Sequence, residues 1–240
     1  IMALPKLNTV EYFCKLPVSG EEAKYRPFSV GEQKVLLQAL EDNQVKTITH
    51  TVINLVEACS SLVDSKQSIR ELSNTDLEYL FLKVRIKSVG ETSNIVLACN
   101  PNCDGQTPVE IDLESIDIEG ELKDNNVKVT DKISVNLSVP NFNEVQDVVQ
   151  DVENITSSNI FDIIAKSIRQ IITEDDVIDR NDVTTAEIKD FVNEMSTEQF
   201  NNIMEWFNGL PKLVKEVKYN CQKCGQENTV KLEGIQNFFV

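Results

Sequence analysis

The spacing of apolar residues in the first third of the chain predicts helices. Apolar residues recur at intervals of four and three from Ile48 through Val52, Leu55 and Cys59 to Leu62. This spacing places them on one stripe of a helix. Because Cys59 belongs to the stripe, we expect a packed core thiol at that position.

Several helix starts are marked by a capping box, in which Ser or Thr is followed three residues later by Glu or Gln. The first box predicts a helix over residues 30–40, and the last predicts a helix that buries Phe200, Ile203, Met204 and Phe207. The four boxes are Ser29 with Glu32, Thr75 with Glu78, Thr184 with Glu187, and Ser196 with Gln199.

In the middle of the chain, apolar residues recur at every second position instead of at helical spacing. Apolar residues at 133–139 alternate strictly with Ser and Asn, which is typical of a half-buried strand. A partner strand is expected at 127–129, and further strands are expected at 95–98 and 109–113. A hairpin near the end is predicted over residues 213–220 and 228–232.

Helical spacing returns after Pro140. Ile160, Ile164, Ile168 and Ile171 line one face of a predicted helix. After the final hairpin, a short apolar tail occupies residues 235–240. This tail could pack on the hairpin or contact a partner protein.

The order of helices, strands, helices and hairpin predicts an α+β fold, with helical segments flanking a small antiparallel sheet. The sequence divides into four segments. These are a mainly helical region at 1–90, a β region with the first cysteine pair at 91–140, an acidic helical insertion at 141–210, and a C-terminal hairpin with the second pair at 211–240.

Charge disfavours nucleic acid as a partner. The formal net charge is −16, and residues 141–200 hold fourteen Asp or Glu against four Lys or Arg. A protein with this charge repels the phosphate backbone of nucleic acid unless a basic patch overcomes the repulsion. The lysines between Lys212 and Lys223 fit a solvated strand face. The acidic segment is either a solvated helical face or a surface for a basic partner. No apolar run approaches the roughly 18 residues that a membrane helix needs.

Two cysteine pairs predict a metal site. Residues 1–10 lack a secretory pattern, so we expect a reducing compartment, where cysteines are thiols or metal ligands. Cys99 and Cys103 follow one predicted strand, and Cys221 and Cys224 follow another. Turns that carry two thiolates before a glycine are typical of zinc knuckles, and four thiolates at about 2.3 Å suit tetrahedral Zn²⁺.

The two knuckles predict a zinc-ribbon-like module that closes over one structural zinc ion. The 117 residues between Cys103 and Cys221 would be an insertion into this ribbon. The alternatives are two unrelated reduced pairs or one disulfide. Cys14 and Cys59 are not needed for four-coordination.

No catalytic residue is predicted. His50 is the single histidine of the sequence, and nothing near it indicates a nucleophile, so a surface or cap position is expected. Trp206 is expected in the core. The acidic run from Glu174 to Asp182 lacks the spacing, glycine and closing glutamate of a calcium loop.

The sequence resembles the hub subunit and hub-assembly group of T4-like contractile-tailed bacteriophage baseplate proteins. The resemblance covers most of the sequence and is most specific at the Tyr-Arg-Pro-Phe element and the second knuckle. The matching features are Leu4-Pro5-Lys6-Leu7-Asn8, Leu16-Pro17, Tyr25-Arg26-Pro27-Phe28, a Glu- and Leu-rich helix from Glu32 to Glu41, and both knuckles.

The resemblance implies a structural or assembly role in the tail baseplate hub, with other hub or tail proteins as partners and no catalytic residue. It implies synthesis in the host cytoplasm, followed by retention in the virion or release as an assembly factor. Two other readings stay open, a zinc-ribbon module that binds nucleic acid and an enzyme of unknown type.

Overall fold

The structure is a computed structural model that describes residues 9–42, 44–99, 103–149 and 156–234. Within these residues the protein forms helices and several small antiparallel sheets, so the predicted α+β class is confirmed. The residues group into two compact units. The first contains described residues from 1–69, 75–119 and 212–240, and the second contains those from 70–74 and 120–211. The four-segment division stays a prediction about domain boundaries.

The first unit begins with a three-stranded sheet in the order β1-β2-β3 and a pair of helices. Ser29 caps the first helix and forms the predicted capping box with Glu32. The bounds are β1 Tyr12–Lys15, β2 Glu22–Tyr25, α1 Val30–Glu41, α2 Val45–Cys59 and β3 Ser60–Leu62.

The predicted helical stripe from Ile48 to Leu62 is wrong at its end. The helix α2 stops at Cys59, and Leu62 lies on β3, opposite Ala23 of β2. Leu62 is buried there. Burial of an apolar residue is compatible with either element, so the spacing alone did not distinguish helix from strand.

The third helix, α3 (Asn74–Val89), begins one residue before Thr75. Thr75 therefore lies inside the first turn, and the prediction that it caps this helix is wrong. The carboxylate of Asp76, also in the first turn, is buried and accepts the backbone N–H groups of Val18 and Ser19 at 2.9 and 3.0 Å. These bonds fix the turn after β1 to the start of α3.

Two hairpins complete the first unit. The strands β4 and β5 pair along their whole length, while β11 pairs with β12 on one side and with β6 on the other. The hairpins predicted at the two cysteine pairs are thus confirmed. Their bounds are β4 Thr92–Ala98, β5 Gln106–Asp112, β6 Asp117–Glu119, β11 Lys212–Asn220 and β12 Glu227–Glu233.

The second unit has a four-stranded antiparallel sheet in the order β10-β9-β8-β7, covered by helices. The predicted pairing of 127–129 with the next strand is confirmed by Val127, which lies opposite Val135. The bounds are β7 Asn126–Lys128, β8 Ser134–Leu137, α4 Phe142–Gln146, α5 Ser157–Ser167, β9 Ile168–Ile172, β10 Val177–Asp179, α6 Thr185–Asn193 and α7 Thr197–Asn208.

The predicted helical face through Ile160, Ile164, Ile168 and Ile171 is wrong in its second half. The helix α5 ends at Ser167, and Ile168 and Ile171 belong to β9. Ile171 pairs with Val135 on one side and Ile178 on the other. Pairing with two neighbouring strands satisfies this backbone, and the β-branched side chains suit a buried strand.

The capping boxes at Thr184 and Ser196 are confirmed. They start α6 and α7, which cover the core of the second unit with Ile188, Ile203 and Trp206. Trp206 is buried as expected. The apolar tail at 235–240 lies outside the described residues, as do Leu4-Pro5-Lys6-Leu7-Asn8.

Candidate metal centre

Four cysteine sulfurs come together in the first unit. The Sγ atoms of Cys99, Cys103, Cys221 and Cys224 all lie within 4.8 Å of one another. Cys99 Sγ is 3.7 Å from Cys224 Sγ, and Cys103 Sγ is 4.0 Å from Cys221 Sγ. A tetrahedron with metal–sulfur bonds of about 2.3 Å has sulfur–sulfur edges of about 3.8 Å. The four sulfurs are therefore at the spacing of a tetrathiolate site.

The first knuckle is closed by a backbone bond from Cys99 N–H to the carbonyl of Gly105 at 2.8 Å. Gly105 allows a close approach that no other residue could make. A Cβ on Gly105 would lie 2.6 Å from Cys221 Sγ and 3.2 Å from Cys103 Sγ. The missing side chain leaves room for both sulfurs. Residues 100–102, between the two cysteines of this knuckle, lie outside the described residues.

The second knuckle is a tight turn after β11. Cys221 N–H donates to the carbonyl of Gln226 at 2.9 Å, and Gly225 N–H donates back to the carbonyl of Cys221 at 2.8 Å. Gly225 has a φ of 73°, a left-handed conformation that glycine adopts at little cost. The turn brings both sulfurs to the same side.

The backbone of the second knuckle favours a thiolate. The N–H groups of Cys224 and Lys223 donate to the sulfur of Cys221, and these bonds lower the pKa of the Cys221 thiol to about 6. A thiolate is the form that ligates zinc. Cys221 is also buried, so its negative charge has backbone donors in place of water.

Side chains join the two knuckles directly. The hydroxyl of Tyr219 donates to the carbonyl of Ala98 at 2.5 Å, and the backbone N–H of Gln222 donates to Thr107 Oγ1 at 3.1 Å. The ammonium group of Lys223 pairs with Asp104. Two hydrogen bonds and an ion pair within the protein therefore hold the hairpins together beside the sulfurs.

A side-chain amide contacts one of the sulfurs. Asn228 Nδ2 lies 3.7 Å from Cys99 Sγ and donates to the carbonyl of Gln226 at 3.0 Å. Asn228 belongs to β12, which follows the second knuckle, whereas Cys99 begins the first. This amide can therefore orient a thiolate supplied by the other hairpin.

Both hairpins share one hydrophobic core with α3. Sequence-distant strands bury residues against the same helix, which sets the position of the two knuckles. The buried members of this core are Leu82, Ile86, Ile95, Leu97, Ile111, Leu113, Leu213, Val217, Tyr219 and Leu232.

The donor set suits a metal ion. Four close cysteines, backbone amides aimed at a sulfur, and a glycine where a side chain would collide fit a tetrathiolate centre. All four predicted ligands are thus placed together and could hold one ion.

The other residues considered for chemistry lie elsewhere. His50 is half-buried on α2, a helix that supplies none of the four clustered cysteines. Cys14 lies on β1 and Cys59 ends α2. Burial raises the pKa of each of these two thiols to about 11, which keeps them protonated. Cys59 is a core thiol as expected.

Sequence reasoning missed the supporting residues. Tyr219, Thr107 and Asn228 lie next to knuckles and on strands, but no spacing rule distinguishes them from other strand residues. Polar or aromatic residues within a few positions of a ligand cysteine were the available signal, since such residues often contact the metal-bound sulfurs.

Comparison with protein families gives a match over residues 9–240 to the model of the T4 bacteriophage base plate protein family. The chain belongs to that family. Searches of curated proteins and of solved structures gave no significant match. The expectation of a bacteriophage baseplate protein is therefore confirmed at the level of the family.

In this base plate protein, the Tyr-Arg-Pro-Phe element anchors α1 and α2. The guanidinium of Arg26 donates to both carboxylate oxygens of Glu32 at 2.8 and 3.0 Å, and it also donates to the carbonyl of Ala58 at 3.0 Å. Tyr25 and Phe28 on either side are buried. These contacts give the element a structural role at the start of α1 and the end of α2.

No helix of the base plate protein, within the part that the structure describes, is long and apolar enough to cross a membrane.

Proposed function

We propose that this base plate protein is a structural or assembly component of the tail baseplate hub, stabilised by one structural zinc ion on Cys99, Cys103, Cys221 and Cys224. Its working surfaces are protein interfaces with other hub or tail proteins. The proposed zinc site rests on one observation, the convergence of four sulfurs from two hairpins at the spacing of a tetrathiolate site.

The proposed zinc ion has a stabilising role. When bound, it would link two hairpins that are far apart in sequence, and a closed set of four thiolates leaves no position for a substrate. The proposal therefore assigns no catalytic residue. The contribution of the protein is to hold the sulfurs in place through Gly105, Tyr219 and the shared core.

Elemental analysis of protein purified under reducing conditions tests the zinc site. We expect about one zinc ion per protein molecule, as four thiolates hold a single ion. Cys221→Ser should lower the zinc content and the melting temperature, whereas Cys14→Ser should leave the zinc content unchanged. Protein that lacks zinc and is no less stable than zinc-loaded protein would reject the site.

The acidic residues of the second unit support a protein interface. Glu174, Asp175 and Asp176 are exposed in the turn between β9 and β10. A cluster of solvated carboxylates offers charge complementarity to a partner with a basic surface. The same acid excess and the net charge of −16 are the reasons for proposing neither nucleic acid nor membrane as a partner.

Infection experiments test the hub assignment. We expect affinity-tagged protein to capture hub or tail proteins from the cytoplasm of infected cells. Mass spectrometry of purified virions then decides between a retained component and an assembly factor that leaves. Failure to capture hub proteins, together with absence from virions, would contradict a hub role and leave family membership intact.

A further inference from the structure

The strand β1 lies at the edge of its sheet. It pairs with β2 on one side, and no other strand of the described residues pairs with it. Glu11, which precedes β1, and Phe13 and Lys15 within it are exposed, and the exposed fraction of Phe13 is 57%. An edge strand with unpaired backbone groups and an exposed aromatic side chain is a template for pairing with another strand.

The hydrogen bonds of the sheet show which backbone groups of β1 face the open edge. Leu16, which follows β1, donates its N–H to the carbonyl of Glu21 at 2.8 Å, toward β2. In an antiparallel ladder, the N–H and C=O groups of successive residues alternate between the two sides of a strand. Glu11, Phe13 and Lys15 therefore direct their N–H and C=O groups away from β2.

The same three residues place their side chains on one face of the sheet. Successive side chains of a strand alternate between the two faces. The ring of Tyr12 stacks on buried Tyr25 at 5.6 Å, which identifies the covered face. Glu11, Phe13 and Lys15 consequently share the solvent-exposed face, with the aromatic ring between an acid and a base.

This arrangement is complementary to itself. When β1 runs antiparallel to β1 of a second copy, with Phe13 opposite Phe13, Glu11 of each copy lies opposite Lys15 of the other. An aromatic pair is then flanked by two pairs of opposite charge, and both kinds of cross-strand pair stabilise a sheet. The backbone groups that face the open edge belong to these same residues, so they can form the ladder between the copies.

Two existing charges bear on this pairing. Glu11 already pairs with Lys24 at 3.0 Å, and both side chains are partly exposed. A surface pair of this kind holds its charges loosely, so the carboxylate can accept a second ammonium group. The net charge of −16 opposes association of two copies, but salt screens it beyond about 8 Å, whereas opposite residues of paired strands are closer than that.

We propose that the edge of β1 pairs two copies of this base plate protein through Glu11, Phe13 and Lys15. The contact is isologous, because a two-fold axis at Phe13 exchanges the copies. It extends the sheet β1-β2-β3 of one copy into that of the other. The contact uses none of the clustered cysteines, so it stands whether or not the protein binds zinc or acts in the hub.

Sedimentation equilibrium of the full-length protein tests this pairing, under reducing conditions that exclude disulfide-linked dimers. We expect a monomer–dimer equilibrium within about 10 to 500 µM protein, because contacts below the standard interface size are weak. Glu11→Lys and Lys15→Glu should each weaken the dimer by about tenfold or more, because each change creates two pairs of like charge.

An equimolar mixture of these two variants tests the register. In the mixed dimer, the introduced lysine faces the introduced glutamate, and the native Lys15 faces the native Glu11. We therefore expect the mixture to associate as the parent does, which also shows that both variants are folded. Glu11→Lys makes the protein less acidic by two charges, which alone would favour association, so net charge does not explain a weaker dimer.

Phe13→Glu should weaken the dimer at least as strongly, because it places two carboxylates opposite each other. The matched control is Val96→Glu on β4, where the side chain is also 57% exposed. This control should leave the dimer intact. A protein that stays monomeric over the whole range would overturn the proposal, as would equal losses in the two glutamate variants. A dimer that neither charge reversal weakens, or a mixture that fails to associate, would overturn it too.

Discussion

The hydroxyl of Tyr219 donates to the carbonyl of Ala98 at 2.5 Å. Tyr219 lies two residues before Cys221, and Ala98 is the residue before Cys99, so this bond joins the strands that lead into the two knuckles. This bond helps to fix the position of one hairpin relative to the other.

Removal of this bond should lower the stability of the first unit. In Tyr219→Phe the ring still packs in the shared core, but the carbonyl of Ala98 loses its donor. The expected loss is about 1 to 2 kcal/mol in the free energy of unfolding. Denaturant unfolding of the zinc-loaded protein measures it. Tyr12→Phe, which keeps the stacking of that ring on Tyr25, is the control and should change the stability less.

Gly105→Ala should weaken metal binding strongly. The new Cβ would lie 2.6 Å from Cys221 Sγ and 3.0 Å from Lys223 Cβ, so the knuckles would have to separate. We expect a loss of at least about tenfold in zinc affinity, the scale of changes close to a metal site. Competition with a chromophoric chelator measures the affinity.

The control for this change is Gly31→Ala in α1. A Cβ there would approach no neighbouring atom more closely than 3.9 Å. Alanine has the higher helix propensity, so this variant should be as stable as the parent or slightly more stable. Equal zinc affinity in both alanine variants would contradict the role given to Gly105.

Asn228→Asp should also weaken zinc binding, for an electrostatic reason. The substitution keeps the shape of the side group, but it removes the amide that lies 3.7 Å from Cys99 Sγ and puts a carboxylate beside the thiolates. A loss of about tenfold or more in zinc affinity is expected. The visible spectrum of the cobalt-substituted protein should still indicate four thiolates.

The same substitution at Asn94, an exposed residue of β4, changes the charge equally without touching a sulfur. If Asn94→Asp and Asn228→Asp weaken binding to the same extent, then net charge explains the effect and the contact with Cys99 does not.

Acid should weaken the anchoring of α1 through Glu32. Hydrogen bonds from Arg26 lower the pKa of Glu32 from 4.5 to about 2. Because the folded-state pKa is depressed, the stabilisation is fully present above pH 4.5 and is lost as the pH falls through about 2. After allowance for partial exposure, it is worth about 1 to 3 kcal/mol.

Unfolding free energies measured between pH 2 and pH 6 check this prediction. The variant Glu32→Gln lacks the titrating group, so the gap in stability between it and the parent should shrink as the pH falls. A gap that stays constant over this range would show that Glu32 does not titrate as described.

Local patterns in the sequence determined much of this fold. The capping boxes at Ser29, Thr184 and Ser196 predicted helix starts because side-chain bonds to the first backbone N–H groups depend on a few adjacent residues. Strict alternation likewise predicted the strand containing Val135. The cysteine spacing selected the four candidate ligands, since two thiols in a tight turn before a glycine are typical of a zinc knuckle.

Tertiary structure alone decided the rest. Leu62, Ile168 and Ile171 have the spacing of a helical stripe, yet they lie on strands. Buried strands and helices can both show this apolar spacing, and pairing with strands that are distant in sequence decided between them. The contacts of Asn228 with Cys99 and of Tyr219 with Ala98 span more than a hundred residues. Such contacts arise from the packing of two hairpins on α3, which no local pattern encodes.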